Sequence, residues 1–128
     1  MFSDSEAPLY EIKANLFKGL AHPVRIRVLE ILAASPEQAC TVAELLTGTG
    51  LEASHLSQHL AVLRRHRVVS STRTASTVTY TLAHPKVAEL LQIARTFLLD
   101  TLAESHAQLA AATELPALPE LYAAGAAQ

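Results

Sequence analysis

The stretch TVAELLTGTGLEASHLSQHLAVLRRH, residues 41–66, predicts two helices joined by a short turn. Thr41 is a candidate N-cap for the first helix, because Glu44 follows it at the capping-box spacing. Gly48 and Gly50 are expected to end this helix and to form the turn. The second helix is expected to follow at once, over about residues 53–66. Two helices in this arrangement form a helix-turn-helix pattern.

The second of these helices is predicted to be amphipathic. Its apolar stripe consists of Leu56, Leu60 and Leu63, which are spaced i, i+4 and i+7 and are therefore expected to pack inward. The opposite face carries small, amide and cationic side chains, namely Ser54, Ser57, Gln58, Ala61 and Arg65. Side chains of this kind fit the major groove of DNA and can bond the edges of bases.

The segments on either side predict three more helices and a hairpin. Apolar residues at helical spacing predict a first helix that ends near residues 19–22, and Pro23 is expected to open a second. The β-branched residues after the central pair predict two strands, about 68–73 and 77–82. Their tip, residues 74–76, lacks the glycine that tight hairpins prefer, so a wider loop is expected. A last helix of about 28 residues should reach about 40 Å.

The apolar face of that last helix is too long for so small a domain to cover, which predicts pairing with a second copy of the chain. The expected fold is thus mainly α, with a small β-hairpin that follows a helix-turn-helix. We place a flexible end at residues 1–9, the DNA-binding and dimerisation domain at 10–112, and a loosely ordered Ala- and Pro-rich tail at 113–128.

Composition narrows the class of protein. The chain has 128 residues, enough for one domain. Its single cysteine, Cys40, cannot form an internal disulfide. No uninterrupted apolar run approaches the roughly 18 residues of a membrane span, and the amino terminus carries acids where a signal peptide carries bases. We therefore expect a cytoplasmic protein without a membrane partner.

Charge is unevenly distributed along the chain, although the net charge is only −2. Residues 53–88 contain no Asp or Glu, and their cationic residues are Arg64, Arg65, Arg67, Arg73 and Lys86. Residues 1–12 and 89–128 are acidic. The local field of the basic segment, rather than the net charge, decides which surface meets a polyanion. A run of charge can also be no more than a solvated face.

His55 and His59 have the i, i+4 spacing of two metal ligands on one helix face. In the zinc-peptidase motif a glutamate follows the first histidine, but Leu56 stands there instead. No third ligand is nearby in the sequence. We expect an exposed His55 and a half-buried His59 that is hydrogen-bonded to backbone, rather than a metal site.

Four stretches together resemble the winged helix-turn-helix repressors of the ArsR/SmtB family. They are LFKGLAHPVRIRVLEIL, TVAELLTGTG, LSQHLAVLRRHRVV and TVTYTL, and the similarity runs from about Leu16 to Leu102. The resemblance implies a winged helix-turn-helix whose dimer is formed by the first and last helices. This homodimer would bind double-stranded operator DNA, an imperfect palindrome with half-sites about one helical turn apart. The fourth helix would enter the major groove, and the hairpin wing would touch the neighbouring backbone or minor groove.

The same resemblance implies roles for individual residues. Ser54, His55, Ser57 and Gln58 would read bases, and Arg64, Arg65 and Arg73 would contact phosphates. Two positions depart from the family pattern. Arg67 stands where glycine is common, so the turn there is expected to differ in shape. Glu52 replaces a usual serine and would repel a nearby phosphate, although it suits the helix dipole.

Members of the family often sense metals or thiol-reactive species. The soft-metal site needs a cysteine pair, but Cys40 is alone, and it is expected to be a small, partly buried residue. At the zinc-type positions of the last helix, His84 and Asp100 can bind a metal, whereas Lys86 opposes a cation. His106 could help to rebuild a site for nickel or zinc, so the candidate ligands are His84, Asp100 and His106. No other cofactor is predicted.

Two other classes of function are alternatives to DNA binding. An enzyme is not expected, because the histidines have structural explanations and no glycine-rich phosphate loop is present. The alternative is a winged-helix module that binds proteins without an effector. Salt separates the two, since DNA binding through several cations weakens steeply as salt rises.

Overall fold

The computed structural model describes residues 6–112, which form five α-helices, a short 3-10 helix (Pro36–Gln38) and a three-stranded sheet. The helices are α1 (Ala7–Leu20), α2 (Pro23–Ala34), α3 (Val42–Thr49), α4 (Ala53–Arg65) and α5 (Pro85–Ala112). The strands are β1 (Ala39–Thr41), β2 (Val69–Thr74) and β3 (Thr77–Leu82). This agrees with the predicted mainly α class with a hairpin. The tail at 113–128 lies outside the described residues, and α1 begins three residues before the domain boundary that we drew at residue 10.

Local signals in the sequence set the helix starts as expected. Pro23 is the first residue of α2, and the imidazole Nδ1 of His22 caps that helix by accepting a hydrogen bond from the amide of Val24 at 3.1 Å. Thr41 and Glu44 form the predicted capping box at the start of α3. The Glu44 carboxylate accepts a hydrogen bond from the Thr41 amide at 3.0 Å. This bond, and then the bond from the Thr41 hydroxyl, lower the pKa of Glu44.

The sheet has one strand more than the sequence predicted. Its order is β1-β3-β2, all antiparallel, and Cys40 of β1 lies opposite Tyr80 of β3. A strand of three residues is too short to show the alternation on which strand prediction relies. The hairpin tip was also predicted wrongly. Thr74 pairs with Thr77, so the loop is a tight turn of two residues, and Ala75 adopts the positive φ of 55° that glycine would normally supply.

The core is one cluster of mostly aliphatic side chains, to which α2, α3, α4 and the sheet contribute together with the end of α1. Its fully buried members are Val28, Leu29, Leu32, Leu45, Leu56, Leu60 and Leu63. The predicted stripe of α4 is therefore confirmed. Gly48, in contrast, lies inside α3 and packs on Ile31 rather than in the turn. Gly50 alone provides the left-handed turn residue, with φ of 69°.

The end of α1 approaches the end of α4 very closely. A Cβ atom on Gly19 would lie 2.6 Å from Cγ of His66 and 2.8 Å from its Cβ. Real Cβ atoms do not come so near, so only glycine allows this spacing between the two helices. Gly19 and Leu20 are the buried residues of α1. The rest of that helix exposes large apolar side chains, among them Leu9, Ile12 and Phe17.

The described chain divides into two units at Leu91 and Gln92. In the first unit, Val87, Leu90 and Leu91 of α5 pack against the core. In the second unit, the remainder of α5 exposes a set of large apolar side chains that are all more than half accessible, namely Ile93, Phe97, Leu98, Leu99 and Leu102. The 28-residue length of α5 matches the prediction.

Helix α4 ends in a Schellman motif in which Arg67 takes the place of glycine. The amide of Val68 donates to the carbonyl of Leu63 at 3.1 Å, and the amide of Arg67 donates to the carbonyl of Arg64 at 3.0 Å. Arg67 has φ of 61°. The expectation of a differently shaped turn was wrong, because the arginine itself adopts the conformation that glycine favours.

The strain at Arg67 predicts the effect of two substitutions. Arg67→Gly should be more stable than Arg67→Ala by about 1 kcal/mol, because the left-handed conformation costs a residue with a Cβ roughly that much. The alanine variant is the matched control for loss of the exposed guanidinium. Urea unfolding of the two variants measures the difference, and equal free energies of unfolding would contradict strain at this position.

Candidate nucleic-acid interface

The exposed face of α4 carries the side chains that the sequence predicted to read bases. Ser54, His55, Ser57 and Gln58 are all exposed, as is Ala61 between them and the arginines. Their direction follows from the leucine stripe, because Leu56, Leu60 and Leu63 turn the opposite side of the helix into the core. The structure thus brings the four predicted base readers together on one helical surface.

The arginines predicted to contact phosphates lie on α4 and on the wing, the hairpin of β2 and β3. Arg64 and Arg65 occupy the last turn of α4, where their charge also suits the helix dipole. Arg73 lies near the tip of the hairpin and is exposed. The Arg64 guanidinium donates to the hydroxyl of Ser71 at 3.3 Å, which links α4 to the wing. All three cations are therefore available at the surface.

Glu52 occupies the N-cap position of α4 but makes no side-chain hydrogen bond to the helix. A serine there could accept from an amide of the first turn, which glutamate does not do. The acid is exposed beside Ser54 and His55. It therefore contributes negative charge at the edge of an otherwise neutral and basic surface.

His59 is half-buried and His55 is exposed, as predicted, but the partner predicted for His59 was wrong. Nδ1 of His59 lies 3.4 Å from Nη1 of Arg25, so the hydrogen-bond partner of the ring is a side chain of α2 rather than backbone. Its ring also packs against His22, with the ring centroids 4.3 Å apart. Burial first, and then the charges of His22, Arg25 and His55, lower the pKa of His59 below its ordinary value of 6.5. The sequence held no signal for this contact across 34 positions.

The metal candidates are not assembled within one copy of the described chain. His84 precedes α5, and its Nδ1 already accepts from the amide of Lys86 at 3.0 Å. Asp100 and His106 lie six positions apart in the second unit, so they project about 120° apart around the helix axis. Within residues 6–112, no three side chains of His, Cys, Asp or Glu form a group that could hold a metal ion.

Cys40 is buried, with 4% of its surface accessible. Its Sγ lies 2.9 Å from the hydroxyl of Ser35, and that hydroxyl donates its hydrogen to the carbonyl of Ile31 at 2.6 Å. Because a serine hydroxyl has only one hydrogen, the thiol must be the donor in the contact with Ser35. Cys40 is therefore enclosed in the core and engaged with Ser35 rather than open to solvent.

A helix-turn-helix with an exposed polar recognition face, followed by a two-stranded wing that carries an arginine, defines a DNA-binding protein of the winged helix-turn-helix class. No helix of the described part of the chain is long and apolar enough to span a membrane. Comparisons with known proteins place the chain within this class.

A family model described as a helix-turn-helix domain matches residues 20–72. An uncharacterized HTH-type transcriptional regulator of Mycobacterium tuberculosis, Rv0081, is 48% identical over 103 residues, which cover 80% of this chain and 88% of the relative. The crystal structure of Rv0081 superposes with a TM-score of 0.69 over 77% of this chain and 96% of that one.

Two further solved structures are similar. One is the homodimeric winged helix-turn-helix domain of Mb0332 from Mycobacterium bovis, described as a possible ArsR-family regulator, with 26% identity, a TM-score of 0.72, and coverage of 80% and 93%. The other is the transcriptional repressor BigR of Xylella fastidiosa, with 31% identity, a TM-score of 0.63, and coverage of 76% and 96%. The chain belongs to the ArsR/SmtB family of winged helix-turn-helix transcriptional regulators. These are DNA-binding regulators and not enzymes, in agreement with the sequence analysis.

Proposed function

We propose that this regulator is a homodimeric repressor that binds an imperfect palindrome in double-stranded operator DNA. The observation that supports this most directly is the common exposure of Ser54, His55, Ser57 and Gln58 on the face of α4 opposite its buried leucines. Hydroxyl and amide groups on a helix of this width can bond the edges of bases in the major groove. Action on DNA also fits the cytoplasmic location expected from the sequence.

Two exposed apolar surfaces, one on α1 and one on α5, support the proposed dimer. On α1, Leu9, Ile12 and Phe17 are 59%, 65% and 58% exposed. On α5, Phe97 is 66% exposed and lies among further large apolar side chains. Apolar surface of this kind on a small domain is usually covered by a partner, and Mb0332, a structural neighbour, is described as homodimeric. A two-fold dimer in turn requires two related half-sites in the DNA.

The palindrome can be tested by selecting duplexes from a random-sequence pool on the full chain. We expect the recovered sequences to share two inverted half-sites whose centres lie about 10 base pairs, or a multiple of that, apart. Reporter expression from a promoter that contains the recovered site then shows the direction of regulation. Recovery of no common sequence would contradict the proposal and favour the alternative, a winged-helix module that binds proteins.

The three arginines that we assign to phosphates predict the salt dependence of binding. On the recovered duplex, Arg65→Gln and Arg73→Gln should each reduce the slope of log affinity against log salt by about 1.8, because each removes one neutralised phosphate per protomer and so two per dimer. Arg95→Gln, on α5 outside the basic segment, is the matched control and should keep the slope. Fluorescence anisotropy at several salt concentrations measures all of these slopes. An unchanged slope in the first two variants would show that their guanidinium groups do not face the DNA.

Control by a divalent metal such as nickel or zinc is a separate hypothesis, and it requires ligands from two protomers. His84 would have to bind through Nε2, since its Nδ1 is engaged, and the Lys86 ammonium beside it is paired with Glu89 at 3.2 Å. Anisotropy in chelator and then with nickel, zinc or cobalt decides the question. A metal-dependent change in DNA binding that is lost in Asp100→Asn or His106→Gln would support a metal sensor. DNA binding that does not change with any of the three metals would rule out metal sensing.

A further inference from the structure

One guanidinium group joins three helices next to the recognition face. Nε of Arg25 donates to the carbonyl of Gly19 at 2.7 Å, and Nη2 donates to that of Lys18 at 3.2 Å. Both carbonyls belong to the last turn of α1, where the helix dipole is negative. The remaining nitrogen, Nη1, reaches His59 on α4 at 3.4 Å. Arg25 on α2 therefore connects the end of α1 to the middle of α4.

The bond to His59 fixes the protonation state of that imidazole. A guanidinium group can only donate, so Nδ1 of His59 must be the acceptor and must carry no proton. The His22 ring, whose Nδ1 accepts from the amide of Val24, packs against His59 at the point where α1, α2 and α4 meet.

Every charged or titratable group that acts on His59 disfavours its protonated form. These groups are His22 and Arg25 from the start of α2 and His55 from the preceding turn of α4. The end of α1, whose last turn also carries Lys18, places two carbonyl groups on Arg25. A proton on Nδ1 would remove the acceptor and place two cations in contact. Since His59 is only half-buried, the protonated ring can relieve this by turning toward solvent.

We propose that Arg25 is a positioning residue for the recognition helix, holding α4 against the end of α1 through the neutral imidazole of His59, and that protonation of His59 releases this contact and weakens DNA binding. This inference rests on the proposed function. If α1 contributes to the dimer interface, the contact sets how each α4 is held relative to the two-fold axis. The tight packing of Gly19 on His66 holds the far end of α4 to the same helix.

The direction of the pH effect follows from the lowered pKa of His59. A His59 ring that is freed from the contact has a pKa near its ordinary value of 6.5, which is higher than its pKa in the contact. As the pH falls below 6.5, the freed ring therefore binds a proton more readily than the ring in the contact. Acid therefore favours the released form. Protonation of other histidines near DNA acts in the opposite sense, because added positive charge attracts phosphate, so the contribution of His59 must be isolated by a matched variant.

His59→Asn is that variant, since its Oδ1 can take the place of Nδ1 as an acceptor but does not titrate. On the duplex recovered by selection, the wild type and His59→Asn should bind alike at about pH 8. At about pH 5.5 the wild type should be weaker than His59→Asn by about fivefold, the factor that one hydrogen bond supplies. In an Arg25→Lys background, which lacks the fork of donors, the same pair should show no such divergence. Circular dichroism at both pH values checks that every variant is folded.

A second readout does not depend on stability. If DNA binding requires neutral His59, then saturating duplex must lower the pKa of this ring, because coupling between two binding equilibria is reciprocal. The pKa of His59, measured by following its ring proton resonances by NMR as the pH is varied, should be lower with the duplex than without it. The pKa of His106 should not fall in the same way.

The outcomes separate the two proposals. Failure of the wild type to bind any selected duplex at about pH 8 would refute the proposed function. Normal binding at about pH 8 would leave the proposed function intact. The positioning role of Arg25 would then be refuted if the ratio of wild-type to His59→Asn affinity were the same at both pH values. It would also be refuted if DNA did not lower the pKa of His59.

Discussion

Burial of three leucines on α4 is the constraint on which the DNA-binding surface depends. Leu56, Leu60 and Leu63 are at most 2% exposed. Replacing any one of them with alanine would lower the free energy of unfolding by about 2–5 kcal/mol. Because a helix turns 100° per residue, fixing this stripe inward leaves no freedom for the opposite face. The hydroxyl and amide groups of that face are thus aimed by hydrophobic packing on the other side of the helix.

Signals that act over a few residues predicted much of this fold. The capping box of Thr41, the helix opened by Pro23 and the leucine stripe all depend on neighbours within one or two turns, so spacing alone revealed them. The resemblance to a known family added the order of the elements. Each candidate on α4 and the wing was consequently found exposed, although contact with DNA remains a prediction.

The features that prediction missed depend on distant parts of the chain. Strand β1 exists because three residues lie beside β3, some forty positions later in the sequence. Gly48 packs inside α3 against Ile31 of another helix, and the half-buried His59 contacts Arg25, which lies 34 positions earlier in the sequence. Ala75 and Arg67 adopt left-handed conformations that their residue types do not favour, which shows that the surrounding hydrogen bonds determine the turn at these positions.

The state of Cys40 has a practical consequence for work on this regulator. The sequence contains no other cysteine, and this thiol is enclosed in the core and engaged with Ser35. A cysteine introduced on the hairpin tip would therefore carry the one readily accessible sulfhydryl in the molecule. A fluorophore or spin label could be attached there without first removing the native residue, and the approach of the wing to a duplex could be followed in the otherwise unaltered protein.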